Sequence, residues 1–226
     1  MNLKFEEFQK KNISFEELDN IRKKSFQKFE TQGFPTKKQE HWKYTDLKNI
    51  INNNFENLQI FKDHKNSQYN DKLIIKNFDH NKIILLNGNF IEANFAFEDK
   101  KKIKIKSLKA IFENKKDFEK IKDYFEDDQN SLISLNHALT NDGFILEIED
   151  NYLFSKPLVI YNFFDKAAES KIINNKIFIL LGKESSLSLV DFYRCENNIK
   201  YFNNTIHNYT IKKNAIFKKF SINDNL

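Results

Sequence analysis

Cys195 is the single cysteine of the chain, and it lies at the end of a strand-like run, just past Leu187–Phe192. A thiolate can ligate a metal or act as a nucleophile, but it then needs a second soft ligand or a base to take its proton. The nearest histidine in sequence is His207. The other four, His41, His64, His80 and His137, are scattered, and none forms a metal-spaced pair such as H-x-x-x-H. Cys195 therefore reads as a packed side chain, and no zinc or iron site is expected from this chain alone. His137 falls beside a leucine stripe and reads as a partly exposed or hydrogen-bonded helix residue. Glu126, Asp127 and Asp128 precede a helical pattern, where acids serve as caps and dipole partners. No carboxylate pair stands out as an acid/base couple. With 4 glycines in the whole chain there is no G-x-G-x-x-G or P-loop cradle, and no serine lies in a G-x-S-x-G elbow. No catalytic, cofactor-binding or metal residue is assigned, and the chain is expected not to be an enzyme.

The elements that would position such residues change character along the chain. From Met1 to Leu58 the pattern is helical. Ser14 and Glu17 make a capping box ahead of a stripe of Phe15, Leu18, Ile21, Phe26 and Phe29. Gly33 then stops the helix and Phe34-Pro35 makes an extended link. Thr36 and Gln39 make a second capping box, opening a helix with Trp42 and Tyr44 as anchors. Asn52 to Asp71 is polar and reads as a linker. Strand-like runs follow at Leu73–Ile75 and Ile83–Leu86. Asn87-Gly88 is a hairpin signal before Phe90-Ile91. Ile103 and Ile105 alternate with lysine as a half-buried strand. Ser107–Asn114, Asp117–Phe125 and Ser131–Leu139 read as helices. Six strand runs complete the chain: Phe144–Ile148, Leu158–Phe163, Lys176–Leu181, Leu187–Phe192, Thr205–Ile211 and Ile216–Ile222. Serial strands without intervening helices fit a sandwich, a barrel or a β-solenoid, and periodicity alone does not choose among them. The last run reaches almost to Leu226 without a cap, so the sequence is expected to be the front piece of a longer chain.

Composition narrows the function classes. Of 226 residues, 37 are basic and 32 acidic, a net charge of +5, with the signs interspersed as in Phe97–Lys106. Arginine is confined to Arg22 and Arg194, whereas nucleic-acid surfaces gather arginines for bidentate contacts. Binding to nucleic acid is therefore not expected. One cysteine allows no internal disulfide and fits a reducing compartment. The N-terminus is charged, without the apolar core of a signal peptide, and no apolar run reaches the ~20 residues of a membrane span. A cytoplasmic chain without membrane contact is expected.

Three segments carry a resemblance. Gly33, Phe34, Pro35, Thr36, Glu40, Trp42, Lys43, Tyr44 and Thr45 resemble the G-F-P-T-x-x-x-E-x-W-K-Y-T element near the N-terminus of SufB/SufD family proteins, in its SufD form. Leu135-Asn136-His137-Ala138-Leu139 with Asp142-Gly143, followed by Lys156-Pro157-Leu158, resembles the family's L-N-x-A-L-x-x-D-G element and the strand start after it. Ile84 to Phe90 is similar to its V-N-G-x-F hairpin. The resemblance spans the given sequence and about half of a typical member. It implies an α+β fold: an N-terminal helical domain (1–58), a mixed transition region (59–142) and the first rungs of a truncated right-handed parallel β-helix (143–226). It also implies a non-catalytic scaffold subunit of the SUF iron–sulfur cluster assembly complex, acting with a SufB-like subunit and a SufC-like ATPase. This segment would bind no cofactor alone, and the cluster would be assembled by the complex. The family's cluster-forming cysteine and histidine positions lie further along, so none is transferred to Cys195 or His207. A β-helix enzyme acting on polysaccharides and a basic nucleic-acid binder are the competing classes.

Overall fold

A computed structural model of the chain describes residues 3, 5–9, 15–61, 69–126, 129–196 and 198–224. Its described residues mix helix and sheet. The helices are α1 (Phe5–Gln9), α2 (Glu16–Gln32), α3 (Leu47–Asn54), α4 (Leu108–Phe112), α5 (Lys115–Phe118) and α6 (Ser131–Leu139). The strands of the first half are β1 (Gln59–Ile60), β2 (Asn81–Leu86), β3 (Asn89–Asn94) and β4 (Ile103–Ser107). Those of the second half are β5 (Asp142–Ile148), β6 (Leu158–Phe164), β7 (Lys171–Leu181), β8 (Ser186–Cys195), β9 (Phe202–Ile211) and β10 (Ile216–Asn223).

From β5 onward, consecutive strands alternate between two sheets. The first sheet runs β4-β5-β7-β9, with β1 pairing the start of β7; the second runs β3-β2-β6-β8-β10. Among themselves, strands β5 to β10 pair only in parallel, while the hairpin β2–β3 and the pair β4–β5 are antiparallel. The last coils keep a constant register: Ile172 lies opposite Phe202 and Ser186 opposite Ile216, each pair thirty residues apart. Every second side chain therefore stacks on its equivalent in the next coil.

Period-two alternation builds the core between the sheets. Phe144, Leu146, Ile148, Ile177, Ile179 and Leu181 face Ile83, Leu85, Leu158, Ile160, Leu187 and Leu189 in one buried cluster. The hairpin turns at Asn87 (φ 50°) and Gly88 (φ 82°), as the Asn-Gly signal predicts. Asn87 and the end of β6 exchange hydrogen bonds through Asp165, at 2.7 and 3.1 Å.

Helices cover the outer face of the first sheet. The stripe on α2 buries Leu18, Phe26 and Phe29, with Arg22 among them, and Gly33 closes the helix with its N–H on the Phe29 carbonyl. Ser14, half of the expected capping box, lies outside the described residues.

Two expectations are corrected here. No helix opens at Thr36: a 3-10 turn occupies Glu40–Trp42, and α3 starts at Leu47, where Asp46 caps the Asn49 N–H at 2.9 Å. Thr36–Asp46 has two apolar side chains and no stripe to bury, so short i→i+3 bonds win; Tyr44 is 86% exposed. Leu73–Ile75 is no strand, because both edges of β2 are taken by β3 and β6. Its side chains instead pack on Tyr161 and Phe163 of β6, and the Ile75 N–H donates to the Tyr161 hydroxyl at 3.1 Å.

Candidate functional site

The interior changes chemistry along the stack. Leu187 and Leu189 point inward from β8, so strand alternation also turns Asp191, Tyr193 and Cys195 inward. Asp191 stacks between Ile160 of β6 and Ser221 of β10. Across the gap, His207 stacks beside Ile177 on the first sheet. The result is a buried polar cluster where earlier coils are apolar. The Asp191 carboxylate is fully buried and accepts from Lys219 Nζ at 2.9 Å and from the Asn162 amide at 3.2 Å. His207 Nε2 lies 3.5 Å from both Asp191 Oδ2 and the Tyr193 hydroxyl. With Nε2 facing a carboxylate, that nitrogen carries the proton of the neutral ring, and Nδ1 is left without a hydrogen-bond partner.

Burial dominates the titration of this cluster. It pushes His207 down to about 4 against the opposing pull of Asp191, with Lys219 adding to the depression. Tyr193 is raised well above its ordinary value, first by burial and then by the Asp191 charge. Burial works against the Lys219 ammonium, but its contacts with Tyr209 and Asp191 outweigh it and hold the ammonium above the usual lysine value. At neutral pH the cluster is one ion pair, a neutral imidazole and neutral phenols. Such a set holds a fixed hydrogen-bond pattern.

Sequence reasoning named His207 and Cys195 but did not join either to a partner. The structure places His207 on Asp191. It leaves Cys195 half-buried at the end of β8, against a cluster containing Phe164 and Tyr201. His80 bonds the Tyr161 hydroxyl at 2.8 Å, and His41 is exposed. His137, read as a partly exposed or hydrogen-bonded helix residue, is buried rather than partly exposed, with its ring 5.4 Å from that of Phe125, because α6 is covered on both sides. Glu126 is exposed, while His64, Asp127 and Asp128 lie outside the described residues. Among the described residues no three His, Cys, Asp or Glu side chains are grouped as a metal site. The signal for Asp191 was present in sequence: Leu187, Leu189, Asp191 and Tyr193 alternate on one face.

The motif segments converge physically. Asn136 of α6 donates through its amide to the Asn175 carbonyl at 3.1 Å and the Asn204 carbonyl at 2.6 Å, so one side chain ties two successive coils to the helix. Thr140 fixes that amide by bonding its Oδ1 at 2.8 Å. Asp142 accepts from the Phe90 N–H at 2.9 Å and the Lys109 N–H at 3.0 Å, joining hairpin, α4 and β5. Burial raises its carboxyl to about 6, against the opposing hydrogen bonds from Lys109, Phe90 and Gly143. The N-G-N-F hairpin and the L-N-x-A-L-x-x-D-G segment thus meet at one carboxylate. Phe34 of the first segment is buried between the rings of Phe29 and Phe202, at 5.1 and 5.7 Å.

These three segments sit within the stretch that a sequence profile recognises: the SufBD protein N-terminal region matches residues 5–160. The chain belongs to the SufB/SufD family. No curated protein matches it. As a SufB/SufD family chain it has a role in SUF iron–sulfur cluster assembly and takes part in a SUF protein complex. No helix among its described residues is long and apolar enough to cross a membrane.

Proposed function

We propose that this chain is a SufD-like scaffold subunit, working in the cytoplasm with a SufB-like subunit and a SufC-like ATPase. The observation that carries the reading is the family match over residues 5–160, which contains all the motif segments. The Gly33–Thr45 element favours SufD over SufB. In this reading the protein does no catalysis of its own and holds no resident cofactor, and the cluster is cargo assembled by the complex. The alternation of parallel strands between two sheets at a thirty-residue repeat supports a right-handed parallel β-helix as its frame.

The test is co-expression of the full coding sequence from the source with tagged SufB-like and SufC-like partners. The reading expects one complex on size exclusion that requires all three chains. Recovery of SufB–SufC without this chain, or pairing of this chain with a SufD-like protein instead, overturns the assignment.

A further inference from the structure

The outer face of the first sheet is roofed by α4, α5, the 3-10 turn Lys122–Phe125 and α6, and under that roof lies one lysine whose nitrogen has no hydrogen-bond partner among the described residues. Lys176 of β7 stands between Gly143 of β5 and Ile206 of β9. It is fully buried, and its Nζ makes no hydrogen bond. The ammonium position is 4.7 Å from the centre of the Phe125 ring, which also packs on His137. Arg22, the other buried cation of this layer, differs, because its Nη2 donates to the Thr140 carbonyl at 2.9 Å at the end of α6. That contact suits the negative end of the helix.

Among the described residues, the groups around Lys176 offer it no counter-charge. Arg22 of α2 is engaged on α6. Asp142 of β5 is spent on the Phe90 and Lys109 N–H groups. Tyr124 of the turn bonds the Thr210 hydroxyl at 2.8 Å. His137 of α6 packs its ring at a tilt against Phe125, while Asp123 and Glu126 of the turn are exposed. His207 of β9 faces the opposite side of the sheet, toward Asp191. An unpaired ammonium held in this apolar layer is strongly disfavoured relative to the neutral amine.

We propose that the roof closes over the neutral amine, so that seating of the Phe125 turn and α6 on the sheet is set by protonation of Lys176. Burial alone moves this lysine from 10.5 down to about 7. A pKa depressed in the closed form means that closure is favoured most above the free-lysine value and weakens as pH falls toward 7, then levels off. From those two values the opening constant at pH 7 is on the order of 50-fold that at pH 9, with less than a further twofold at pH 6.

The experiment is hydrogen–deuterium exchange on the full chain at pH 6, 7, 8 and 9, corrected for intrinsic exchange, for the natural protein and Lys176→Met. Peptides spanning Glu119–Glu126 and Ser131–Leu139 are expected to lose about 50-fold in protection from pH 9 to pH 7 in the natural protein and to stay flat in Lys176→Met. Peptides of β2, which do not touch the roof, report global unfolding, and the roof peptides are expected to be less protected than these at every pH in the natural protein. A flat response in the natural protein, or an equal slope in Lys176→Met, overturns the proposal. Should the variant fail to fold, the side-chain nitrogen resonance of Lys176 decides on the natural protein: a midpoint near 7 supports the proposal, and one near 10 overturns it.

Discussion

Replacing Asp191 with Asn removes one charge from the interior of the last coils at almost constant volume. Lys219 then keeps its ammonium with its side chain 28% exposed and no anion beside it. At 2.9 Å the attraction is about 1.4 kcal/mol at the dielectric of water and about 6 kcal/mol at an effective dielectric of 20. The carboxylate is fully buried and the lysine is not, so the net loss lies between these limits. Removing one partner of a buried pair costs about 3–5 kcal/mol, and the partial exposure of Lys219 brings the expectation to about 3 kcal/mol. Urea unfolding at pH 7, followed by far-UV circular dichroism, measures it. Lys219→Met alone is also expected to destabilise, because Asp191 then keeps only neutral partners, the Asn162 amide, the Tyr193 hydroxyl and the His207 imidazole. The double variant should recover about 2 kcal/mol relative to the sum of the singles. A loss below about 0.5 kcal/mol for Asp191→Asn, or additivity of the two substitutions, refutes the claim that this pair is held out of water.

Acid should unfold the protein partly through His207: its depressed pKa means stability present above 6.5 and lost as pH falls toward about 4, roughly 3 kcal/mol in all. Asp142 has the opposite sign, since its raised pKa favours the protonated fold between about 6 and 4, so the comparison must be the natural chain against His207→Asn at each pH. A difference between the two that stays constant from pH 7 to pH 4 would contradict the burial of the neutral ring. Gly143→Ala should abolish soluble folded protein, because a Cβ there would lie 1.8 Å from the Lys176 carbonyl oxygen at φ +128°, and backbone cannot yield as a side-chain end can. Glu98→Ala should cost about 2–3 kcal/mol in urea unfolding, since this carboxylate receives the Asn81 amide at 2.8 Å, the Tyr152 hydroxyl at 2.8 Å and the Ser155 and Lys156 N–H groups. The thermal midpoint should fall with it, and an unchanged midpoint would show that water replaces those bonds.

Strand existence was legible in sequence wherever apolar residues alternated and turn residues separated the runs. All six runs after Asp142 are strands, and the hairpin at Asn87-Gly88 forms where its dipeptide placed it. What failed was local structure without a burial stripe. The Thr36–Asp46 segment has cap-like residues but no face to bury, so it folds into turns. The Leu73–Ile75 segment has strand composition, but strand pairing is a property of the neighbour's free edge, which no local pattern records.

The polar interior was legible in part. A period of two decides which residues face inward, and a coil length of thirty or thirty-one residues decides which of them stack. Together these put Asp191 above Ile160 and His207 beside Ile177. The distance between Asp191 and His207 required the closure of the two sheets, which no spacing along the chain encodes. Lys176 was illegible for a different reason. In a chain with 37 basic residues, a lysine reads as surface. Alternation alone turns Lys176 away from the interior, toward what looks like solvent. Only the helical roof, whose α6 is tied to β7 and β9 through Asn136, makes that outward face a second interior. The same amide that marks the family in sequence is therefore what encloses the lysine, and loosening it with Asn136→Ala should bring the amine back toward ordinary lysine behaviour. A Lys176 midpoint that stays near 7 in that variant would mean that the roof is held by its apolar contacts alone.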